Sequence, residues 1–160
     1  MASVASAAAA PSPSDVVPRL VVFDLDACLW LPEMYQLPAP PSGWDAAARG
    51  VRAGSDVVRL FPGALHALAQ LASEPRFAET RVALASSTSK PEYARAVLAQ
   101  YRLNDSRGGT FGERVSWAEL YPISHKGAHF RNLQRASSIP FEEMLFFDEC
   151  VPDADWTFLW

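Results

Sequence analysis

The chain has 160 residues, of which 49% are hydrophobic, so it can form one domain with a substantial core. Its net charge of −4 and isoelectric point near 5.3 argue against nucleic-acid binding, which requires a basic patch. No apolar run approaches the roughly 20 residues needed to span a membrane, and two cysteines are too few for a disulfide framework.

Residues 1–18 form a segment rich in alanine, serine and proline that contains no lysine or arginine. It lacks the charged start and strongly apolar middle of a secretory signal, and the arginines typical of a transit peptide. We interpret it as a disordered tail of a cytoplasmic protein, with a weak organelle-targeting segment as the alternative. The folded domain is expected to cover residues 19–150.

Leu20–Phe23 is short and continuously apolar, which is typical of a strand buried on both faces of a parallel sheet. The following stretch, about residues 31–60, contains four prolines and three glycines, and we interpret it as a long irregular cap or loop insertion. Trp30, Tyr35 and Trp44 either form a small lid over a site or pack beneath this loop. The sequence leaves both alternatives open.

Helical and strand signals then alternate. Pro62 favours the first position of a helix, and the apolar run Val82–Ala85 predicts a strand that ends at Ser86. Ser89 and Pro91 are typical of the N-cap and first turn of a second helix. The expected buried stripe of this helix has an i, i+3, i+4, i+7 pattern and consists of Ala94, Val97, Leu98 and Tyr101.

The last third of the chain continues the alternation. A weak strand is predicted near Arg114–Trp117, and Ser124 is expected to cap a helix that ends near Ala136. The apolar run Met144–Phe147 predicts a final strand, which is followed by Asp148. This order predicts an α/β fold, a Rossmann-like three-layer sandwich with a parallel sheet and helices on both faces.

Polar residues end three of the apolar strands, namely Asp24, Ser86 and Asp148. Ligands of open α/β sheets bind outside the carboxyl ends of the strands, so we expect these side chains to meet in one crevice. Lys126, at the start of the helix that leads into the last strand, can reach the same place. Asp26 follows Asp24 by two residues, so the two carboxylates can lean to the same side.

Carboxylates this close repel each other unless a cation neutralises them. Mg²⁺ suits such a cluster because it binds hard oxygen ligands and keeps several of its waters. The candidate ligands are therefore Asp24, Asp26 and Asp148, with Glu149 as a further acid.

The same groups suit phosphoryl transfer. A carboxylate can attack phosphorus and form an aspartyl-phosphate, and the reaction then depends mainly on positioning and charge stabilisation. Lys126 and the metal supply positive charge, and the Ser86 hydroxyl can donate a hydrogen bond to a phosphoryl oxygen. At an effective dielectric constant near 20, one cation about 4 Å from one anion contributes on the order of 4 kcal/mol.

Four stretches carry a family resemblance: FDLDACLW at residues 23–30, ASSTS at 85–89, SHK at 124–126 together with Phe130, and PFEEMLFFDE at 140–149. The first resembles the DxDx[T/V]L signature of the haloacid dehalogenase superfamily. Its DLDxxLW form resembles the magnesium-dependent phosphatase family, the acid-phosphatase-like branch. The resemblance covers roughly residues 19–150, with the motifs in the order and spacing of that family.

The resemblance implies three catalytic roles. Asp24 would be the nucleophile and a metal ligand. Asp26 would act as the general acid for the leaving group and then as the base for water, with its backbone carbonyl on the metal. Lys126 would neutralise the phosphoryl group.

The resemblance also implies binding residues and shows one departure. Ser86 and Ser87 would bind the substrate, and Asp148 would hold Mg²⁺ with Glu149 as a supporting acid. Ser87 stands where related sequences often carry arginine. The loss of that positive charge would weaken substrate binding.

Cys28 stands where the family prefers threonine or valine, and its similar volume is expected to be tolerated. A catalytic thiolate is rejected because cysteine phosphatases need an arginine six residues later, where this chain has Met34. His125 and His129 are four residues apart but lack the HExxH context of a metal site. Both are expected to be surface or partly buried residues.

The expected function is Mg²⁺-dependent hydrolysis of phosphomonoesters of the phosphotyrosine or sugar-phosphate type, on small molecules or phosphoproteins. The superfamily core continues past Asp148 with a helix and an edge strand, whereas residues 151–160 do not resemble that continuation. We therefore expect a fold without its C-terminal edge helix and strand. The alternative function is a truncated pseudophosphatase that binds phosphorylated ligands or a partner with little turnover. The substrate and the oligomeric state stay open.

Overall fold

A computed structural model describes residues 17–105 and 107–148. The main sheet in these residues has four parallel strands, β1 (Leu20–Phe23), β6 (Arg81–Ser86), β7 (Trp117–Leu120) and β8 (Met144–Phe147), in the order β7-β6-β1-β8. Glu149, most of the predicted N-terminal tail and the predicted C-terminal tail and edge lie outside the described residues.

Three helices cover this sheet: α1 (Pro62–Ser73), α2 (Pro91–Gln100) and α3 (Gly127–Ser137). One face of β1, including Val21 and Phe23, shares a core with α1 and α2. The opposite face, including Leu20 and Val22, packs with Leu133 of α3. The predicted three-layer α/β sandwich is confirmed, and its strands and helices follow in the predicted order. No helix of the described ranges is long and apolar enough to cross a membrane.

The register of β1 aligns the carboxyl ends of its neighbours. Phe23 lies opposite Leu84 of β6 on one side and Phe147 of β8 on the other. The rings of Phe23 and Phe147 stack, with centroids 5.2 Å apart. Residues that directly follow β1 and β8 therefore emerge side by side at one edge of the sheet.

The interpretation of residues 31–60 as irregular was wrong. They form most of a second, antiparallel sheet of order β2-β5-β4-β3, made of β2 (Trp30–Leu31), β3 (Gly43–Asp45), β4 (Gly50–Ala53) and β5 (Asp56–Leu60). Burial alternates along β5, where Val58 and Leu60 are buried and Arg59 is exposed, which is the period of a half-buried strand. Gly54, with a φ of 62°, makes the tight turn between β4 and β5.

Three local predictions also need correction. The strand predicted at Arg114–Trp117 begins at Trp117, since pairing of Trp117 with Ala83 of β6 sets its start. The N-cap positions of α2 and α3 are Lys90 and Lys126 instead of Ser89 and Ser124. In α2 the Lys90 carbonyl accepts the first helical bond, from the Ala94 N–H at 3.2 Å, and Pro91 starts the helix.

The aromatic residues of the inserted sheet mostly pack beneath it. Trp30 is 0% exposed, and Trp44 packs edge to face on Tyr101 with centroids 5.0 Å apart. The packing alternative is therefore correct for both tryptophans, whereas Tyr35 is 61% exposed. Tyr101 also fastens the inserted sheet to the end of α2, because its hydroxyl accepts the Leu60 N–H at 3.2 Å.

Candidate active site

Asp24 is the first residue after β1, at the carboxyl edge of the main sheet. Its backbone N–H donates to the carbonyl of Phe147 at 2.9 Å, which extends the pairing of β1 and β8 by one step. Asp24 is buried, with only 7% of the residue exposed. The fold therefore fixes Asp24 at the backbone and shields its carboxylate from water.

Lys126 immediately precedes α3, the helix on the face of the main sheet opposite α1 and α2. Its Nζ lies 3.2 Å from Asp24 Oδ2 and 2.7 Å from Asp148 Oδ1. It also lies 5.2 Å from the centroid of the Phe146 ring, a distance that permits a cation–π contact. The structure thus brings together Asp24, Lys126 and Asp148, as expected from the strand ends.

Burial raises the pKa of Asp24 from 3.8 to about 6. The Lys126 ammonium group is the strongest opposing influence, and hydrogen bonds from the Leu25 N–H and the Ser86 hydroxyl act in the same direction. Asp148 adds to the rise through charge repulsion. Asp24 Oδ1 is buried and has no hydrogen-bond partner, so one anionic oxygen of this residue lacks compensation.

Ser86 is the last residue of β6 and Ser87 follows it, and the two differ in their surroundings. Ser86 is buried beside Asp24, whereas Ser87 is exposed. The structure therefore places the Ser86 hydroxyl at the carboxylate cluster. Within residues 17–105 and 107–148, no hydrogen bond joins the Ser87 side chain to Asp24, Lys126 or Asp148. Glu149 lies outside the described residues.

Asp26 is held by a residue to which the sequence assigned only a lid or packing role. Its Oδ1 accepts a hydrogen bond of 2.8 Å from the indole Nε1–H of Trp30. One local signal existed in the sequence, because a buried tryptophan usually finds a partner for its N–H and Asp26 precedes Trp30 by four residues. Only the fold could establish that Trp30 is buried.

Comparison with known proteins identifies the family. The model of the family described as acid phosphatase matches residues 16–157. The chain belongs to the acid phosphatase family. The prediction of a phosphatase from the four motifs is thereby confirmed.

Two relatives of this family member are informative. It is 37% identical over 135 residues to the human protein magnesium-dependent phosphatase 1, an alignment that covers 83% of this chain and 68% of that protein. It is 29% identical over 136 residues to a HAD-like hydrolase superfamily protein of Schizosaccharomyces pombe, covering 82% of this chain and 76% of the relative. These matches confirm the predicted superfamily.

The donor set of this acid phosphatase family member fits a hard cation with few protein ligands. Within residues 17–105 and 107–148, no group of three or more His, Cys, Asp or Glu side chains could hold a metal ion. Asp24 and Asp148 instead share Lys126, and Asp24 Oδ1 is buried without a partner. An uncompensated carboxylate oxygen beside a second carboxylate suits Mg²⁺, which commonly takes one or two carboxylates and completes its shell with water and phosphate.

His129 corrects a further prediction. It was expected at the surface or partly buried, but it is fully buried in α3 and packs on Tyr121 with ring centroids 4.2 Å apart. Burial lowers the pKa of His129, which favours the neutral imidazole. His125 is exposed, as expected.

Proposed function

We propose that this acid phosphatase family member is a Mg²⁺-dependent phosphatase that hydrolyses phosphomonoesters through an aspartyl-phosphate on Asp24. The observation that carries the proposal is the state of the Asp24 carboxylate. Its Oδ2 is paired with Lys126 at 3.2 Å, while Oδ1 is buried and has no hydrogen-bond partner. A desolvated carboxylate oxygen beside a fixed cation is suited to attack a phosphoryl group that the same cation attracts.

The proposed reaction has two steps on the residues of this chain. A carboxylate oxygen of Asp24 attacks phosphorus, the ester P–O bond breaks, and the leaving oxygen takes a proton from Asp26. Water then attacks the phosphorus of the aspartyl-phosphate, Asp26 accepts its proton, and inorganic phosphate leaves with the Asp24 carboxylate restored. Lys126 and the Ser86 hydroxyl stabilise the charge on the phosphoryl oxygens in both steps.

Asp24, Asp148 and the backbone carbonyl of Asp26 are the proposed metal ligands, with Glu149 as a supporting acid. When bound, Mg²⁺ would neutralise charge on the carboxylates and on the phosphoryl group. The name of the human relative, magnesium-dependent phosphatase 1, supports this choice of metal. The proposed substrates are phosphomonoesters of the phosphotyrosine or sugar-phosphate type, as the family resemblance implies, and Lys126 and Ser86 would bind their phosphoryl group.

The first test is hydrolysis of 4-nitrophenyl phosphate by the wild-type protein and Asp24→Asn, with Mg²⁺ and with chelator. We expect activity that requires Mg²⁺ and falls by roughly 10³-fold or more in Asp24→Asn. Asp56→Asn, in β5 of the inserted sheet, is the matched control and should keep its activity. A protein that is inactive in every condition, like its Asp24→Asn variant, would instead support the pseudophosphatase that only binds phosphorylated ligands.

A second test addresses the covalent step. Acid quenching during turnover of a ³²P-labelled phosphomonoester should leave label on the wild-type protein that hydroxylamine releases, because acyl phosphates react with hydroxylamine. Asp24→Asn should carry no such label. Activity without any protein-bound phosphate in rapid-quench samples would argue for direct attack of water and against the aspartyl-phosphate.

A further inference from the structure

Trp30 lies in the first motif and takes no part in the proposed reaction. Its side chain is 0% exposed, yet its indole Nε1–H donates to Asp26 Oδ1 at 2.8 Å. Building on the function proposed above, we propose that Trp30 is a positioning residue that orients the carboxyl group of Asp26 for proton transfer to the leaving group.

The turn between Asp26 and Trp30 is closed by its own backbone. The Leu29 N–H donates to the Leu25 carbonyl at 2.8 Å, and the Ala27 N–H donates to the Trp30 carbonyl at 3.1 Å. Ala27 has a φ of 59°, a left-handed conformation that a residue with a Cβ seldom adopts. The backbone therefore sets the separation between the indole and the carboxyl group.

A second buried aromatic ring also packs against the indole. Phe111, from the segment between α2 and β7, meets the Trp30 ring edge to face at 86°, with centroids 6.5 Å apart. Phe111 is itself fully buried. A ring held by the turn and by Phe111 presents its N–H in one direction.

The chemistry of the indole gives the two carboxyl oxygens of Asp26 different roles. Indole Nε1 is a donor only, so Asp26 Oδ1 serves as an acceptor in this contact. The carbonyl oxygen of a protonated carboxyl group is the better acceptor, so the contact favours Oδ2 as the oxygen that carries the proton to the leaving group. The contact also restrains the broad terminal torsion of Asp26, so its loss should lower the fraction of molecules aligned for transfer.

Leaving groups of different basicity separate this role from a general effect on folding. 4-Nitrophenolate leaves with little need of a proton, whereas an alkoxide leaves only when it is protonated. The comparison uses kcat/KM, which reports the first step, because the second step, in which Asp26 is the base, is common to both substrates. Since a positioned general acid contributes about 10²–10⁴-fold, Trp30→Phe should lower kcat/KM roughly 10-fold or more for an alkyl phosphate. For 4-nitrophenyl phosphate we expect a loss of less than about 3-fold, because the general acid matters little there.

A second variant removes the N–H without disturbing the packing. β-(3-Benzothienyl)alanine at position 30 has nearly the shape of tryptophan and carries sulfur in place of the N–H group. It should reproduce the selective loss on the alkyl phosphate at wild-type thermal stability. Trp117→Phe in β7 is the matched control and should affect both substrates equally.

Asp26→Asn is the second substitution of a double-mutant cycle with the benzothienyl side chain at position 30. If Trp30 acts through Asp26, adding the benzothienyl side chain to Asp26→Asn should change neither substrate further. Equal losses on both substrates, or no loss with the benzothienyl side chain, would overturn the positioning role. Either result would leave the function of Asp24 intact, since that function is judged by Asp24→Asn.

Discussion

Lys126 Nζ lies 3.2 Å from Asp24 Oδ2, although the two residues enter the site from different layers of the sandwich. Asp24 follows a central strand, whereas Lys126 immediately precedes α3 on one face of the sheet. Lys126 also contacts Asp148 at 2.7 Å, so one cation is shared by two carboxylates. With both carboxylates ionised, the cluster keeps an excess of negative charge that would favour binding of a cation.

Lys126→Met should lower kcat for phosphomonoester hydrolysis by about 10²–10³-fold, as expected when one fixed donor to a developing charge is removed. Because Lys126 lowers the pKa of Asp24, its loss should also move the acidic limb of the kcat/KM profile to higher pH. Lys90→Met is the control, since Lys90 lies over the ring of Tyr93. Full activity in Lys126→Met would contradict a role in charge stabilisation.

Asp24→Asn should stabilise the metal-free protein at alkaline pH. The pKa of Asp24 rises from 3.8 to about 6 in the folded state, so its contribution to the free energy of unfolding is fully present below pH 3.8 and is lost as the pH rises through about 6. That rise of about 2 pH units corresponds to about 3 kcal/mol. Urea unfolding in chelator should therefore show Asp24→Asn more stable at pH 8, by up to about 3 kcal/mol, with little difference near pH 4. Lower stability of the variant at pH 8 would refute the claim that ionisation of Asp24 destabilises the folded protein.

Magnesium should stabilise the wild-type protein and leave Asp24→Asn nearly unchanged. At a free concentration ten times its Kd, a ligand of the folded state adds about 1.4 kcal/mol to the free energy of unfolding. The gain should be larger at pH 8 than at pH 5, because the raised pKa of Asp24 keeps its carboxyl group protonated at the lower pH. Thermal melts with Mg²⁺ and with chelator measure the effect without any substrate. An equal shift in Asp24→Asn would place the metal elsewhere.

Tyr101→Phe should loosen the inserted sheet. The Tyr101 hydroxyl accepts the Leu60 N–H at 3.2 Å and donates to the Arg49 carbonyl at 3.4 Å. Removing it leaves a buried donor without a partner, which costs about 1–3 kcal/mol. Tyr35→Phe, at an exposed residue of the same insertion, should change the free energy of unfolding by less than about 0.5 kcal/mol. Equal values for the two variants would mean that Tyr101 contributes only its ring.

Cys28→Val should be tolerated. The Cys28 side chain is buried, and its Sγ lies 3.6 Å from the carbonyl oxygen of Phe147, a weak contact for a thiol. A swap of similar volume costs less than about 1.5 kcal/mol, and we expect hydrolysis within about 2-fold of the wild type if no thiolate takes part. A complete loss of activity with intact folding would revive a catalytic role for Cys28.

Local sequence patterns were enough to predict the main sheet and its helices. A strand that is buried on both faces has a continuous apolar sequence, such as Leu20–Phe23. It failed for residues 31–60, where short strands are separated by many prolines and glycines. Periodicity over three to five residues is a weak signal there. These short strands are stabilised by pairing with one another, which a local pattern does not reveal. The N-caps of α2 and α3 were misplaced because the observed N-cap residues, Lys90 and Lys126, are of a type that local cap preferences do not favour.

The sequence by itself determined the order of strands and helices, the polar residues at the strand ends and the family, because these follow from local burial patterns and contiguous motifs. Only the tertiary structure decided that Lys126 pairs with both Asp24 and Asp148, that His129 is buried, and that the Trp30 indole donates to Asp26. The Lys126 contacts depend on the register between segments far apart in the chain, whereas the burial of His129 and of Trp30 depends on which side chains lose access to water. No short stretch of sequence encodes either quantity.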